Sequence, residues 1–422
     1  MPFLDDLRWR NLVHQTTDDA GLSDWLDAQP RVVYAGFDPT ADSLHVGHLL
    51  PLLMLRRFQN AGHKPIAVVG GATGMIGDPS GKSQERNLLS AEGLARNVES
   101  IREQMRRFLD FDRGAELINN LDWIGNFSYL DFLRDVGKNF PVNVMLAKDS
   151  VKSRLGRDDA GISYTEFSYM LLQAYDFVHL HREFNCELQV GGSDQWGNIT
   201  AGIDLARRME GVQLYGLTNP LLTKSDGTKM GKTEHGALWL APERTSPYQF
   251  FQYWINVDDI DAGNCLRMLT ELSREEIEAL DKSRAESPQE RASQRRLAEE
   301  LTRLVHGEAA LQAAVNETNS LFNTGLTDQL KGFLDIPSTG LSRTKLENEG
   351  LSFVEILVEA GLAKSNSEAR RLIEQGGAYI NDIRIDDVIH RITKEDVINT
   401  DQGEWVMIVR SGKRKRKILR FK

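Results

Sequence analysis

Over the first 220 or so residues, short apolar runs alternate with stretches of helical periodicity, and this alternation restricts the fold more than any other feature of the chain. Arg31-Val32-Val33-Tyr34-Ala35-Gly36-Phe37 reads as a buried strand, broken by a turn at Asp38-Pro39-Thr40. His45 to Phe58 carries apolar residues at helical spacing and is closed by Gly62. Ile66-Ala67-Val68-Val69-Gly70-Gly71 is a second strand and Glu187-Leu188-Gln189-Val190-Gly191 a later one, with helices around 90–109, 165–181 and 195–209. Such alternation predicts an α/β fold with a doubly wound parallel sheet, whose ligands sit at the carboxyl ends of the strands.

The pattern changes further along. From Ser246 to Phe322, Glu-, Arg- and Leu-rich stretches predict helices without strands. Residues 324–350 hold Gly325, Gly332, Pro337, Gly340 and Gly350 with little periodicity and read as a linker. A third unit opens at Leu351 with a short helix ending at Gly361. Ser365 and Glu368 spell a capping box for a second helix, closed by Gly376-Gly377, and Ala378-Tyr379-Ile380-Asn381 reads as a strand. The expected divisions are 1–235, 236–323, a linker at 324–350, and 351–422.

With 422 residues, 41% apolar and 27% charged, the composition is that of an ordinary soluble chain of two or three domains. No apolar run approaches the roughly eighteen residues of a membrane span. Met1-Pro2-Phe3-Leu4-Asp5-Asp6 lacks a basic region followed by an apolar core, so no secretory signal is expected. Cys186 and Cys265 stand alone without a CxxC pair, which suits a reducing cytoplasm and excludes a cysteine-built zinc site. The net charge of −10 is uneven: Leu351 to Lys422 holds 14 Lys+Arg and 11 Asp+Glu, a net of +3, which leaves −13 for the remainder. A basic end segment admits a nucleic-acid partner that the average charge argues against.

Three glycine-rich loops invite a nucleotide-binding reading and fail its spacing. Gly70-Gly71-Ala72-Thr73-Gly74 follows a strand but does not spell GxGxxG, and its first two glycines are better read as close packing. Gly77-Asp78-Pro79-Ser80-Gly81-Lys82-Ser83 and Gly227-Thr228-Lys229-Met230-Gly231-Lys232-Thr233 each have one residue too few between their glycines for a Walker A loop. A loop of that length cannot curl its N–H groups around a phosphate.

Two other features carry chemistry. His45 and His48, in His45-Val46-Gly47-His48, share one face of a helix's first turn, where free N–H groups and the positive dipole end suit a polyphosphate. Gly47 between them leaves room for a flat base. Taken alone, the pair is also what two surface histidines would look like. Lys229-Met230-Gly231-Lys232-Thr233 places two lysines on a small loop that can swing onto phosphates and neutralise charge on a leaving group. Taken alone, it is a solvated basic loop.

Together and in this order, HVGH and KMGKT resemble the HIGH and KMSKS signatures of class I aminoacyl-tRNA synthetases. The resemblance runs over nearly the whole chain and is greatest to the bacterial tyrosyl-tRNA synthetases, through Gly36-Phe37-Asp38-Pro39-Thr40, Gly74-Met75-Ile76-Gly77-Asp78-Pro79-Ser80 and Gly191-Gly192-Ser193-Asp194-Gln195-Trp196-Gly197-Asn198. It implies a Rossmann-like catalytic domain at 1–235 with a dimer-forming insertion about 125–155. It further implies an α-helical anticodon-binding domain at 236–323 and a small α+β, S4-like RNA-binding domain at 351–422. The implied partners are L-tyrosine, ATP with Mg2+, tRNA(Tyr) and a second copy of the chain, in the cytoplasm. No protein-held metal site is implied.

The resemblance also assigns residues. His45, His48, Lys229 and Lys232 would act on the ATP phosphates with Thr40 beside them, and Lys82 and Arg86 would help the leaving pyrophosphate. Gly47, Gly191, Gly192 and Asp194 would hold the rest of ATP. Tyr34 and Asp176 would meet the substrate phenol, and Asp78, Tyr169 and Gln173 its α-amino group. Gln195 would lie near the reacting carboxyl and Asp38 beside the amino acid. Independently, Tyr169, Gln173 and Asp176 fall at i, i+4 and i+7 on an otherwise apolar helix, where a polar stripe needs partners. Ala35 stands where such enzymes commonly have cysteine, so a ribose contact is missing. In the end unit, Lys364, Arg370 and Arg371 would contact RNA, while Lys413-Arg414-Lys415-Arg416-Lys417 alone reads as a solvated terminus. Two alternatives remain at this level: a regulatory RNA-binding protein on an inactive synthetase fold, and another adenylyltransferase that shares the histidine motif.

Overall fold

The computed structural model describes residues 2–80, 90–148, 151–152, 162–233, 236–323, 338–343, 346, 350–381, 383–399, 405–412 and 415–421. It divides into two units, 1–312 and 313–422, each described by itself.

In the first unit, β1 (Gln15–Thr16), β2 (Val32–Phe37), β3 (Lys64–Val69), β4 (Glu116–Asn119), β5 (Cys186–Gly192) and β6 (Tyr215–Asn219) form one sheet in the order β1-β6-β5-β2-β3-β4. Five strands are parallel, as the alternation predicts, and β1 adds an antiparallel edge against β6. Val33, Tyr34, Ala35, Ile66, Ala67, Val68 and Val69 are all buried. Burial on both faces is why these strands read as continuous apolar runs rather than as alternation. At two residues, β1 is too short to show any period.

Helices α1 (Val46–Asn60), α2 (Ala91–Met105), α3 (Tyr164–Phe184) and α4 (Trp196–Glu210) lie between the strands in sequence. From β2 the chain moves outward through β3 to β4, then returns to β5 on the other side of β2. The strand order therefore reverses between β2 and β5, and the loops after Phe37 and Gly192 part to leave a crevice there. Beside it, Gly70 and Gly71 serve close packing. A Cβ at Gly70 would stand 2.3 Å from Thr73 Oγ1 and 2.5 Å from Asp38 Oδ1, and one at Gly71 2.2 Å from Asn119 Oδ1.

Before the helix Glu308–Asn323, the strand-free helical stretch comprises α5 (Pro247–Ile255), α6 (Asp259–Leu269), α7 (Arg274–Glu286) and α8 (Ala292–His306). It belongs to the first unit: Arg57 Nη2 donates to Thr270 O at 2.6 Å, and Arg10 Nη2 to Leu272 O at 2.9 Å.

The second unit is a five-stranded path in the order Ile383–Ile385, Ala378–Ile380, Trp405–Ser411, Lys415–Phe421 and Ser338–Leu341, with helices Phe353–Glu359 and Asn366–Glu374. Four details differ from the sequence reading. Leu351–Ser352 is a short strand paired with Arg391–Ile392, so the first helix begins at Phe353. Ser365 Oγ accepts the amide of Glu368, but the Glu368 carboxylate takes the amide of Lys364, one residue earlier than a capping box requires. Within the expected linker, Ser338–Leu341 is a strand parallel to Lys415–Phe421. Lys415-Arg416-Lys417 is not a solvated terminus, because the buried Ile418, Leu419 and Phe421 draw it into a hairpin with Trp405–Ser411. Lys413 and Arg414 lie outside the described residues.

Candidate active site

The crevice at the β2/β5 reversal holds a cavity of about 460 Å³. Its lining brings together Tyr34, Asp38, Thr40, His45, Gly47, His48, Asp78, Gln173, Asp176, Gly191, Gly192, Asp194, Gln195, Lys229 and Lys232 from sequence positions up to 198 apart. Tyr169 stands behind this lining, where its hydroxyl donates to Asp38 Oδ2 at 3.3 Å. Lys82 and Arg86 lie outside the described residues. Lys364, Arg370 and Arg371 are exposed on the second unit and are not among the lining residues.

At the histidine end, His45 is the N-cap of α1 and His48 its third residue. His45 Nδ1 accepts the Gly47 amide at 3.1 Å, His48 Nδ1 accepts the His45 amide at 3.1 Å, and the rings stack with centroids 4.0 Å apart. This differs from the expected use of the helix end. The Val46 amide donates to Leu238 O and the His48 amide to His45 O, so the first amides of α1 are already engaged. With both Nδ1 atoms accepting, the proton of each neutral ring resides on Nε2. The imidazoles, rather than the helix amides, are therefore the groups able to donate. Gly47 makes room for its neighbour: a Cβ there would stand 2.8 Å from His45 Cε1.

The lysine loop is a small hairpin. Thr223 bridges Lys229, Asp226 Oδ1 accepts the Thr228 amide at 2.8 Å, and Gly227 turns with φ +81°. Lys229 and Lys232 are exposed, whereas Met230 and Gly231 between them are buried. Met230 thus seats the loop and leaves both ammonium groups beside the cavity. Across the crevice, a Cβ at Gly192 would stand 2.7 Å from Asp194 Oδ1, so glycine there lets the carboxylate fold against the backbone.

A second cluster is acidic and amide-rich. Asp78 Oδ1 accepts the Ser80 amide at 2.9 Å, and Asp78 Oδ2 accepts from Gln195 Nε2 at 2.7 Å. Gln173 Nε2 donates to Gln195 Oε1 at 3.2 Å, and Thr73 Oγ1 donates to Asp38 Oδ1 at 3.0 Å. Two carboxylates among amide groups form a place for a cation, the reverse of the histidine and lysine side.

The deepest part holds Tyr34 and Asp176, 1% and 4% exposed. Asp176 Oδ2 accepts from Asn120 Nδ2 at 3.1 Å and Oδ1 from Trp123 Nε1 at 2.8 Å. Burial outweighs these two bonds and, with Asp38 nearby, pushes the Asp176 carboxyl up to about 7. Burial and then the Asp176 charge raise the Tyr34 phenol well above its ordinary value. Tyr34 Oη has no hydrogen-bond partner among the described residues.

Sequence reasoning missed Asn120, Trp123 and Asn198. Asn120 and Trp123 come from a turn and the four-residue helix Leu121–Ile124, too short to carry a periodic signal. Asn198 is buried on α4, its Nδ2 within reach of Gln173 Oε1 (3.1 Å), Gln195 Oε1 (3.2 Å) and Ser80 Oγ (3.2 Å). Its place in the same polar segment as Asp194 and Gln195 was the available clue.

Comparison with known proteins finds relatives over nearly the whole chain. The family model described as tRNA synthetases class I (W and Y) matches residues 27–323, and that of the tyrosine–tRNA ligase SYY-like C-terminal domain matches 329–419. A tyrosine–tRNA ligase of Rhodopirellula baltica is 57% identical over 99% of this chain and 96% of its own length. One from Roseiflexus castenholzii is 54% identical over 99% of each. Among solved structures, a C-terminally truncated mitochondrial tyrosyl-tRNA synthetase of Aspergillus nidulans is similar with TM-score 0.69 and 30% identity, over 76% of this chain and 94% of its own.

The raised Asp176 carboxyl has a consequence for stability. A carboxyl in the unfolded chain titrates near ~3.9. Between there and about 7 the folded state keeps a proton that the unfolded state has released, so stability falls as pH rises through that window and the penalty is complete above it. Asp176→Asn removes the titration. Denaturant melts should show the variant gaining on the wild type from pH 5 to pH 8, and a constant difference would mean that the carboxyl is not raised.

Proposed function

The chain belongs to the class I tRNA synthetases of the tryptophan and tyrosine kind, and from that premise we propose that it is a tyrosine–tRNA ligase whose active site is the β2/β5 crevice. The tyrosine carboxylate attacks the α-phosphate of ATP, forming tyrosyl-adenylate and releasing pyrophosphate, and the acyl group then passes to the 3′-terminal adenosine of tRNA(Tyr). No covalent enzyme intermediate is needed, so the protein's work is positioning and charge stabilisation.

The observation that carries this reading is the unpartnered, buried Tyr34 hydroxyl beside Asp176. A phenol accepts from Tyr34 and donates to Asp176, satisfying both. An indole has an N–H but no oxygen for Tyr34, and a phenyl ring has neither. An unfilled buried polar pair penalises the analogue lacking a hydroxyl, a discrimination for which tyrosine synthetases are themselves the standard illustration. Asp78, Gln173 and Tyr169 take the α-ammonium, with Asp38 beside it and Gln195 near the carboxylate. Asn198 holds the amide groups of this cluster in register. His45 and His48 donate through Nε2 to the phosphates, with Thr40 alongside, and Lys229 and Lys232 neutralise the departing pyrophosphate. Lys82 and Arg86 join them by resemblance alone. Gly47, Gly191, Gly192 and Asp194 hold the nucleoside. Among the described residues no three His, Cys, Asp or Glu side chains converge as a metal cage. Magnesium would accompany ATP as a counterion to its phosphates.

The second unit supports RNA binding. Lys364, Arg370 and Arg371 are exposed on and beside one helix, and Arg410 lies directly opposite Arg416 on paired strands. Cations on a compact surface suit phosphate contacts read by shape. Residues 236–323 are proposed as the anticodon-binding part and 351–422 as the S4-like part. The chain is also proposed to act as a homodimer through the 125–155 region, where Tyr129, Leu130, Val142, Val144 and Leu146 are exposed. Apolar groups gathered on one surface mark an association site. No helix among the described residues is long and apolar enough to cross a membrane, and the free thiols of Cys186 and Cys265 accord with a cytoplasmic setting.

Three measurements test this reading. ATP–pyrophosphate exchange should depend on tyrosine alone among the amino acids and be lost in Asp176→Ala; exchange driven by tryptophan, or near-normal exchange by the variant, overturns the pocket. Truncation after Gly350 should spare tyrosine-dependent exchange and cripple tRNA charging, whereas full charging at physiological salt removes the role given to the second unit. Sedimentation should show a dimer that Leu130→Glu converts to monomer; a monomeric wild type refutes the association.

A further inference from the structure

We propose that Tyr253, on α5, is a positioning residue that sets the lysine loop for adenylate formation. The proposal rests on the functional reading above. The Gly231 amide, between Lys229 and Lys232, donates to Tyr253 Oη at 2.7 Å. Gly231 O accepts the Leu238 amide at 2.7 Å, and Leu238 O accepts the Val46 amide at 2.9 Å, at the start of the helix that carries His45 and His48. One glycine thus joins three parts: the tyrosine hydroxyl on one side, the two lysines along the chain, and the histidine helix on the other. The approach is tight. Gly231 has φ +81°, and a Cβ there would stand 3.0 Å from Val46 Cβ.

The same helical segment grips the loop twice more. Asp261 Oδ1 accepts the Ser225 amide at 2.8 Å, and Cys265 Sγ lies 3.4 Å from Met230 Sδ. Asp261 and Cys265 are both on α6 and both buried. The lysine side chains are exposed and flexible in themselves, so their aim depends on where this backbone is held. A donor left unpaired in a buried place moves toward water if it can. Removing the Tyr253 oxygen therefore releases the backbone of Gly231, and the lysines miss the charge that develops on pyrophosphate. The tyrosine pocket, built from β2 and α3, is untouched.

Tyr253→Phe retains the ring and deletes only the acceptor. Single-turnover measurement should give adenylate formation slowed about tenfold, with the tyrosine dissociation constant unchanged. In a Lys229→Ala, Lys232→Ala background the same substitution should cost little, because the groups it positions are gone. Asp261→Ala, which frees the Ser225 amide, should slow the step in the same manner. Adenylate formation within twofold of wild type in Tyr253→Phe overturns the proposal. An undiminished tenfold loss in the background lacking both lysines also overturns it, since that marks general damage. A wild-type chain without tyrosine-dependent exchange overturns the functional reading itself, whereas an active wild type with an equally active Tyr253→Phe overturns only the clamp.

Discussion

The parallel pairing of β2 with β5, with Tyr34 set opposite Gln189, places every other part of the site. Because neighbouring strands run the same way, the chain must leave both at the same edge of the sheet, and because the order reverses here it leaves in opposite directions. Asp38 and Thr40 depart on one side, and Gly192, Asp194 and Gln195 on the other. A cavity between them is then a topological necessity. The register has a further effect: Tyr34 is carried into the sheet's interior beneath α3, where Phe177 meets its ring edge-on at 5.2 Å. The hydroxyl is delivered to a dry place with Asp176 facing it.

Burial makes this pair costly to the fold. Asn120 and Trp123 together do not offset the desolvation of the Asp176 carboxyl, which remains raised to about 7. Tyr34 Oη has no partner among the described residues. The pair costs the fold stability, and a ligand with both a donor and an acceptor at its end would relieve that cost. The polarity then reverses along the cavity, from the carboxylates of Asp38 and Asp78 to the imidazoles and lysines beyond. A zwitterion meeting a polyphosphate has that same order of charges.

Much of this was legible because its signals are local. The i, i+4, i+7 spacing of Tyr169, Gln173 and Asp176 follows from helix geometry, and the structure brings all three to one side of the cavity or directly behind it. The histidine spacing was equally local, yet the expected open helix end was not found, because Leu238, from nearly two hundred residues away, takes the Val46 amide. Long-range partners leave no trace in a spacing. The same holds for Asn120 and Trp123, whose role depends on where β4 ends against β3. In the second unit the basic run resembled a solvated tail because its five charges outweigh the short apolar segment of Ile418, Leu419 and Phe421 that follows.

Gly231 links the lysine loop to the histidine helix through Leu238. By motif alone, glycine in KMGKT is a lost serine hydroxyl. In the fold it is the residue with φ +81° whose missing Cβ lets the loop approach Val46, and whose amide and carbonyl are both engaged. A serine there would carry the cost of left-handed backbone and press its Cβ on Val46, so the loop would have to withdraw from α1. The chain has exchanged a possible hydroxyl contact for closer contact between the two signature segments. That exchange makes the backbone hydrogen bonds of one residue, rather than a side chain of the motif, responsible for the distance between the histidines and the lysines.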